Sequence, residues 1–436
     1  MIRVMQTSFY ANKGDVDRLF ACNRVSGQVW NATLDSAKQY GQATGRWIGK
    51  SELQKAVKGR FPIHSQSIQA VCHKYLWARD GAKQAIEQGC QARYPWRQKK
   101  YFPTKWAKDG FRLHESGRIE LSLGIWNGKR QRPIVVQVKR LPVGQIKEIE
   151  LIWKRKLMLA FSCDDGVVAK ENNGHSVAAI DLGEIHTIAA VSEAGPGIII
   201  TGRKLRSIKR LRNKQHRELQ KKMAKVNKGS RRWKKLQRAK RKISAQAQAQ
   251  TKDLLHKTSH TFVNWAAAHE VKTVVVGEVE GVERHTSAKN KNATRRRSRN
   301  VNQKISQWSF GQLVAYLAYK LAAWGIGLVK TDETYTTRTC PVCGRQKKVA
   351  GRVYRCHCGY AQHRDIHGAR NILAKYQYGK IQDLPNPVAK VTYLRPTAKW
   401  QVVVALNRAC RRAGAASSRE LQLSGVPKIA PKPFAG

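Results

Sequence analysis

Lys and Arg number 83 in this chain against 28 Asp and Glu, a formal charge of +55. A compact fold with that excess repels itself unless a polyanion neutralises it, and a pI near 10.5 points to nucleic acid as the partner. A histone-like or ribosomal-type basic protein would share the charge. It would not need 12 tryptophans and recognisable strand–helix units in 436 residues, enough chain for about two to four domains. Met1–Asn12 reads as a strand rather than a secretory apolar run. The one long apolar helix candidate, Trp308–Trp324, is interrupted by Gln312 and Lys320, so no membrane partner is expected. Of 9 cysteines, four fall within residues 340–358, while Cys22, Cys72, Cys90, Cys163 and Cys410 are scattered. That fits a reducing cytoplasm rather than a disulfide framework.

Periodicity divides the chain. Beyond an opening strand, residues from about Gly14 to Cys90 recur at helical spacing, as in Ile68, Val71, Cys72 and Tyr75. From about Tyr101 to Asp165 the period becomes two. Ile119, Leu121, Leu123 and Ile125 alternate with polar residues, and Asn127-Gly128 signals a hairpin. Ile134–Val138, Ile146–Trp153 and Leu157–Cys163 read as further strands, giving a small β-barrel or sandwich with the helical zone inserted after its first strand. From Ser176, three short strands (Val177–Leu182, Thr187–Ser192, Ile198–Thr201) precede a long basic helical stretch. Then come strand Thr273–Val276, a helix near Trp308–Trp324, strand Leu328–Lys330, the cysteine cluster and a helix starting near Asp365. Past Tyr376, prolines at 385, 387 and 396 break up the chain, and Val426–Gly436 is expected to be disordered.

In a chain so poor in acids, an acid closing an apolar strand stands out. Asp181 ends Val177-Ala178-Ala179-Ile180, Glu278 ends Val274-Val275-Val276-Gly277, and Asp365 opens the last helix. Each alone reads equally as a turn or helix cap. Together they offer hard oxygen ligands from three elements, as two Mg²⁺ ions about 3.5–4 Å apart require for phosphodiester hydrolysis. Glu280 and Asp332 are rival ligands. Cys340-x-x-Cys343 and Cys356-x-Cys358, each near a glycine, are paired thiolates suited to one tetrahedral Zn²⁺. A closed four-ligand shell is structural. The Cys-x-Cys half is tighter than usual, so His357 or His363 is a substitute fourth ligand.

Between Arg203 and Lys242, 20 of 40 residues are Lys or Arg, with Glu218 the only acid. Leu205, Ile208, Leu211, Leu219, Met223, Trp233 and Leu236 leave one face that packs. The other face, with Arg203, Arg210, Arg231, Arg232, Lys234 and Lys235, is read as a phosphate-tracking surface. Lys289–Arg299, with Arg295, Arg296 and Arg297, reads as a second, loop-borne nucleic-acid contact. Trp96, Tyr101 and Trp106 lie among basic residues and read equally as base-stacking or as core. His186, His216, His256, His260 and His285 read as structural or surface residues.

Asp181-Leu182-Gly183, Val274–Glu278 and Arg364-Asp365 with Ala369-Arg370-Asn371-Ile372 resemble the three RuvC motifs of the transposon-encoded TnpB family. The compact type V CRISPR effectors derived from TnpB share them. The run Tyr335–Gly344 is similar to that family's lead-in to its zinc ribbon, and His256-Lys257 fits the helix before the second carboxylate strand. The resemblance covers about Ser176–Leu373; the earlier half matches only in its order of strand, helices and barrel. Glu184, His367 and Gly368 depart from the usual pattern, Glu184 replacing an apolar residue and His367-Gly368 an Asn-Ala pair.

The resemblance implies an α+β multidomain fold. Residues 1–13 and 98–170 would form a wedge-like β-barrel, 14–97 a helical recognition domain, and 171–339 with 360–376 an RNase H-like (RuvC) core. Residues 340–359 would be the zinc ribbon and 377–436 a partly disordered extension. It implies an RNA-guided DNA endonuclease that holds a guide RNA, targets double- or single-stranded DNA, and admits a homodimer. Asp181 would bridge two Mg²⁺ ions, with Glu278 and Asp365 each completing one shell. Two other readings stay open: a guided DNA binder that represses without efficient cleavage, and a guide-independent accessory protein of DNA transposition.

Overall fold

The computed structural model describes residues 1–278, 303, 307–349, 351–396 and 402–403. The chain divides into two compact units at the Val168–Ala169 junction. Expectations for Glu280, His285, Arg295, Arg296, Arg297, Cys410 and the proline-rich end lie outside the described residues.

In the first unit, β1 (Ile2–Thr7) and β2 (Phe9–Tyr10) lead into α1 (Lys13–Thr44), α2 (Lys50–Val57) and α3 (Ser65–Glu87). Strands follow: β3 (Thr104–Ala107), β4 (Phe111–Leu113), β5 (Arg118–Leu121), β6 (Ile125–Trp126), β7 (Lys129–Arg130), β8 (Ile134–Val138), β9 (Gln145–Lys154) and β10 (Lys156–Asp164). Local chemistry sets several boundaries. Asn12 Oδ1 accepts the Asp15 N–H at 2.7 Å to cap α1, and Gly45 ends the helix at φ 67°. Asn127 and Gly128, at φ 50° and 75°, make the two-residue turn between β6 and β7.

Two four-stranded antiparallel sheets result, ordered β1-β10-β9-β3 and β2-β8-β5-β4. Ile149 and Leu151 of one sheet and Ile119 and Val136 of the other share one core with Leu19, Val29 and Cys72 of the helices. The three helices thus fall between the second and third strands. Trp106 is wholly buried in that core and donates its Nε1–H to the Ser122 carbonyl at 2.8 Å, whereas Trp96 and Tyr101 are exposed.

The second unit is built on a seven-stranded mixed sheet. β11 (Ser176–Asp181), β12 (His186–Ser192) and β13 (Pro196–Thr201) form an antiparallel meander. The basic stretch forms α4 (Arg203–Ala224) and α5 (Arg231–Ala268). β14 (Val271–Gly277) then pairs in parallel with β11, and β15 (Gly327–Thr331) with β14, after α6 (Phe310–Ala322). A small hairpin of β16 (Val353–Arg355) and β17 (Ala361–His363) runs into α7 (Arg364–Tyr378). No helix among the described residues is long and apolar enough to cross a membrane.

Alternation along β11 sorts its neighbours. Ala178 and Ile180 pack with Leu254 and Phe262 of α5 and Leu313 and Leu317 of α6, while Ala179 packs with Ile372 and Leu373 of α7. Covered on both faces, these strands read in sequence as unbroken apolar runs. The sheet does not stop at residue 376. β18 (Lys390–Leu394) pairs in parallel with β13, from Pro196 opposite Lys390 to Ile200 opposite Leu394, and β19 (Val402–Val403) pairs with β18. Placing all of 377–436 outside the core is therefore corrected. A short strand whose partner lies far back in the chain carries no local signal.

Candidate functional site

Three parallel strands end together. Ile180 of β11 stands opposite Val276 of β14, and Gly277 opposite Thr331 of β15. The Glu278 N–H donates to the Thr331 carbonyl at 2.8 Å, extending the ladder by one residue. Asp181, Glu278, Asp332 and Glu333 therefore lie at one carboxyl edge, where ligands of α/β sheets gather. Asp181 has the parity of Ala179 and so faces α7, whose first turn carries Asp365.

Burial raises the Asp181 carboxyl, and the charges of Asp365 and Glu333 raise it further, to about 8; Arg364 opposes the shift. Glu333 is itself pushed up to about 7, by burial and then by Asp332. A Cβ at Gly277 would meet Glu333 Cβ at 3.0 Å and Ile372 Cδ1 at 3.1 Å, so Glu333 fills the slot between β14 and α7. Sequence reading named its neighbour Asp332 instead. Asp332 is exposed and tied to Lys375 Nζ at 2.5 Å and to the Thr334 N–H at 2.9 Å, which hold its pKa down at about 2.

Asp365 Oδ2 lies 3.9 Å from His186 Nε2 and 3.8 Å from Arg352 Nη1. Glu278 is exposed. Among the described residues, the carboxylates of Asp181, Glu278 and Asp365 do not form a group with all ligand atoms within 4.8 Å. Two such groups lie among the described residues: Cys340, Cys343, Cys356 and Cys358, and His186, His363 and Asp365.

The four thiols come from two knuckles, with Gly344 at φ 69° and Gly359 at φ 88°. Cys340 Sγ lies 3.6 Å from Cys358 Sγ, and Cys343 Sγ lies 3.4 Å from Cys356 Sγ. The Gly344 N–H donates to the Cys340 carbonyl at 3.0 Å, and the Gly359 N–H to the Cys356 carbonyl at 3.3 Å. Four thiols gathered so closely are a metal centre in waiting. His357 Nδ1 is 3.4 Å from Cys356 Sγ. His363, the other substitute ligand expected, is grouped with His186 and Asp365 rather than with the thiols.

The three departures from the motif pattern have local explanations. Glu184 is held by Arg206 Nε at 3.1 Å. His367 is buried, stacks on Tyr354 at 4.0 Å between ring centroids, and lies within hydrogen-bond reach of the Tyr360 hydroxyl at 3.2 Å. Gly368 sits against Asp181. On the basic helices, Arg203, Arg210, Arg231, Arg232, Lys234 and Lys235 are all exposed.

Two family models match the chain, one described as Cas12f1-like, TNB domain, over residues 310–372, the other as probable transposase, over residues 160–283. The TnpB-like protein MJ0751 of Methanocaldococcus jannaschii is 24% identical over 258 residues, 57% of this chain and 86% of that protein. The CRISPR-associated endodeoxyribonuclease Cas12f1 of Sulfoacidibacillus thermotolerans is 31% identical over 72 residues, 16% of this chain and 17% of that one. The solved structure of a Cas12f1-sgRNA-target DNA complex shares the fold, with a TM-score of 0.61 at 14% identity and 83% of each chain covered. Motifs, family models and relatives agree in their likeness: over these segments the chain is similar to TnpB-like proteins and compact type V effectors, and it shares their fold.

Proposed function

We propose that the chain is an RNA-guided DNA endonuclease with an RNase H-like (RuvC) centre at the carboxyl edge of β11, β14 and β15. The observation that carries this reading is Asp181, whose carboxyl is driven up to about 8 by burial, Asp365 and Glu333. Acids crowded in this way repel one another, and a divalent cation relieves the repulsion. Asp181, Glu278 and Asp365 are the residues to hold Mg²⁺, with Glu333 supporting Asp181. Bound Mg²⁺ supplies an activated water and neutralises charge on the scissile phosphate.

The protein's own part is placement. β11 fixes Asp181 under the influence of Asp365 and Glu333, where it would hold Mg²⁺ together with Asp365, and Glu278 is exposed, where a substrate strand can approach. The exposed cations of α4 and α5 hold the backbone of a guide RNA or RNA–DNA duplex, leaving sequence to base pairing. Zn²⁺ fits the four thiolates, since bonds of about 2.3 Å set sulfurs roughly 3.8 Å apart in a tetrahedron. Closed on all sides, that centre is structural.

A second reading, guided DNA binding without efficient cleavage, is favoured by the side chains around Asp365. His186 and Arg352 both approach its carboxylate, and Asp181, Glu278 and Asp365 do not close into one group within 4.8 Å. One experiment separates the readings. RNA co-purifying with the protein, expressed with the DNA flanking its gene, is sequenced, and DNA complementary to its variable segment, with randomised flanks, is incubated with the complex and Mg²⁺. Cut DNA supports the nuclease, bound but intact DNA the binder, and absence of RNA a guide-independent role.

A further inference from the structure

We propose that His186, His363 and Asp365 form a binding site for a borderline transition-metal dication, of the Ni²⁺, Co²⁺ or Zn²⁺ class, separate from the four-thiol centre. Three elements supply it: the first residue of β12, the last of β17 and the first turn of α7. One donor atom from each lies within 4.8 Å of the other two. His186 Nε2 is 3.9 Å from Asp365 Oδ2, and the two imidazole rings are 5.5 Å apart at 63°. Metal–donor bonds of about 2.0–2.1 Å place donors roughly 3.3 Å apart, so small side-chain rotations close the shell.

A second, independent observation points the same way. His186 is 3% exposed, and the Nδ1 atoms of both His186 and His363 are buried without a hydrogen-bond partner. Buried polar atoms are nearly always paired, so two orphaned nitrogens in one cluster need an explanation. A metal provides it directly, or through a nitrogen that turns inward to coordinate. Tyr393 of β18 packs its ring 5.4 Å from His186 and fixes the imidazole from behind.

Two imidazoles and one carboxylate are a poor set for Mg²⁺, which prefers oxygen, and a good one for later divalent metals. The competing group is Arg352, 3.8 Å from the same Asp365 oxygen. Its side chain is 47% exposed and can withdraw into solvent. The site stands on its own geometry. Its consequence rests on the nuclease reading: an ion here takes Asp365 from Asp181, so Ni²⁺ or Zn²⁺ would inhibit cleavage where Mg²⁺ supports it.

The test is calorimetric titration, with NiCl₂, of tag-free full-length protein carrying a single Zn²⁺ equivalent on its four-thiol centre. Loss of an outer-shell partner of a metal site costs about 10–100-fold in affinity, and loss of a ligand should cost at least as much. The expected result is about one Ni²⁺ per chain, weakened at least tenfold in both His363→Gln and His186→Asn and retained in Asp181→Ala. Zinc content measures whether each variant is folded, and if His186→Asn loses zinc, His363→Gln decides. No Ni²⁺ binding, binding indifferent to His363→Gln, or binding lost in Asp181→Ala would each overturn the site. Failure of the nuclease reading would leave these affinities unchanged and would show only as uncut DNA.

Discussion

Gly368 of α7 lies directly against Asp181 of β11. A Cβ built on the glycine would meet the Asp181 carboxyl carbon at 3.2 Å and its Oδ2 closer still. The missing side chain lets the first turns of α7 pass close beneath the strand end. Gly368→Ala should cost little stability, within about 1 kcal/mol, because alanine favours a helix interior by about that amount and the displaced atom ends a movable side chain. The displaced carboxylate should lower Mg²⁺-dependent cleavage about tenfold or more. Wild-type cleavage in a folded variant would remove Asp181's present placement from the account.

Adjacent acids provide a sharper contrast. Glu333→Gln deletes one of the charges that raise Asp181 and should reduce cleavage by about 10–100-fold. Asp332→Asn weakens an exposed ion pair with Lys375, worth about 0–1 kcal/mol, and removes a secondary influence on Glu333, so it should change cleavage far less than Glu333→Gln. Equal effects in the two variants, measured on one DNA substrate, would contradict the assignment.

That pair also shows where sequence stops. Asp181 and Glu278 are legible because each closes an apolar run in a chain with few acids. Asp332 and Glu333 follow the same strand end, and nothing in the sequence says which of them lies beside Asp181. Both reach α7: Asp332 pairs at the surface with Lys375, while Glu333 takes the half-buried place beside Asp181. His186 and His363 are likewise unreadable as a pair, since one begins a strand and the other precedes a helix. The strands of the first unit are legible from their period of two and the Asn127-Gly128 turn. β18 is not, because its partner is β13 and its flanks are prolines.

The four-thiol centre should bind about one Zn²⁺ per chain. Cys340→Ser should lower folding yield as well as activity, because Cys340 is buried beneath the knuckles. In protein supplied with one equivalent of Zn²⁺, His363→Gln should leave the thiol-bound zinc unchanged, since His363 is not grouped with the thiols. Zinc content by elemental analysis checks both variants.

Lys320 of α6 donates to the His256 carbonyl and to Ser259 Oγ, each at 2.7 Å, and burial lowers its pKa from 10.5 to about 8. Between those values the folded state binds fewer protons than the unfolded one, so wild-type stability rises as pH climbs from about 8 to 10.5. Lys320→Met lacks that rise. The stability difference, variant minus wild type, should therefore fall across this window, by on the order of 1 kcal/mol after allowing for the side chain's partial exposure. Parallel denaturation midpoints across the window would contradict it.

Replacing Arg231, Arg232, Lys234 and Lys235 with Ala should flatten the dependence of log RNA affinity on log salt, each lost phosphate contact removing about 0.7–0.9 from the slope. Affinity should fall about equally for every guide sequence. An unchanged slope would place the RNA surface elsewhere on the chain.

The most direct measurement compares wild type with Asp181→Ala, each loaded with the same guide RNA, for both binding and Mg²⁺-dependent cleavage of one matched DNA. The account predicts affinities within a few fold of each other and cleavage only by the wild type. Equal cleavage by Asp181→Ala would contradict it.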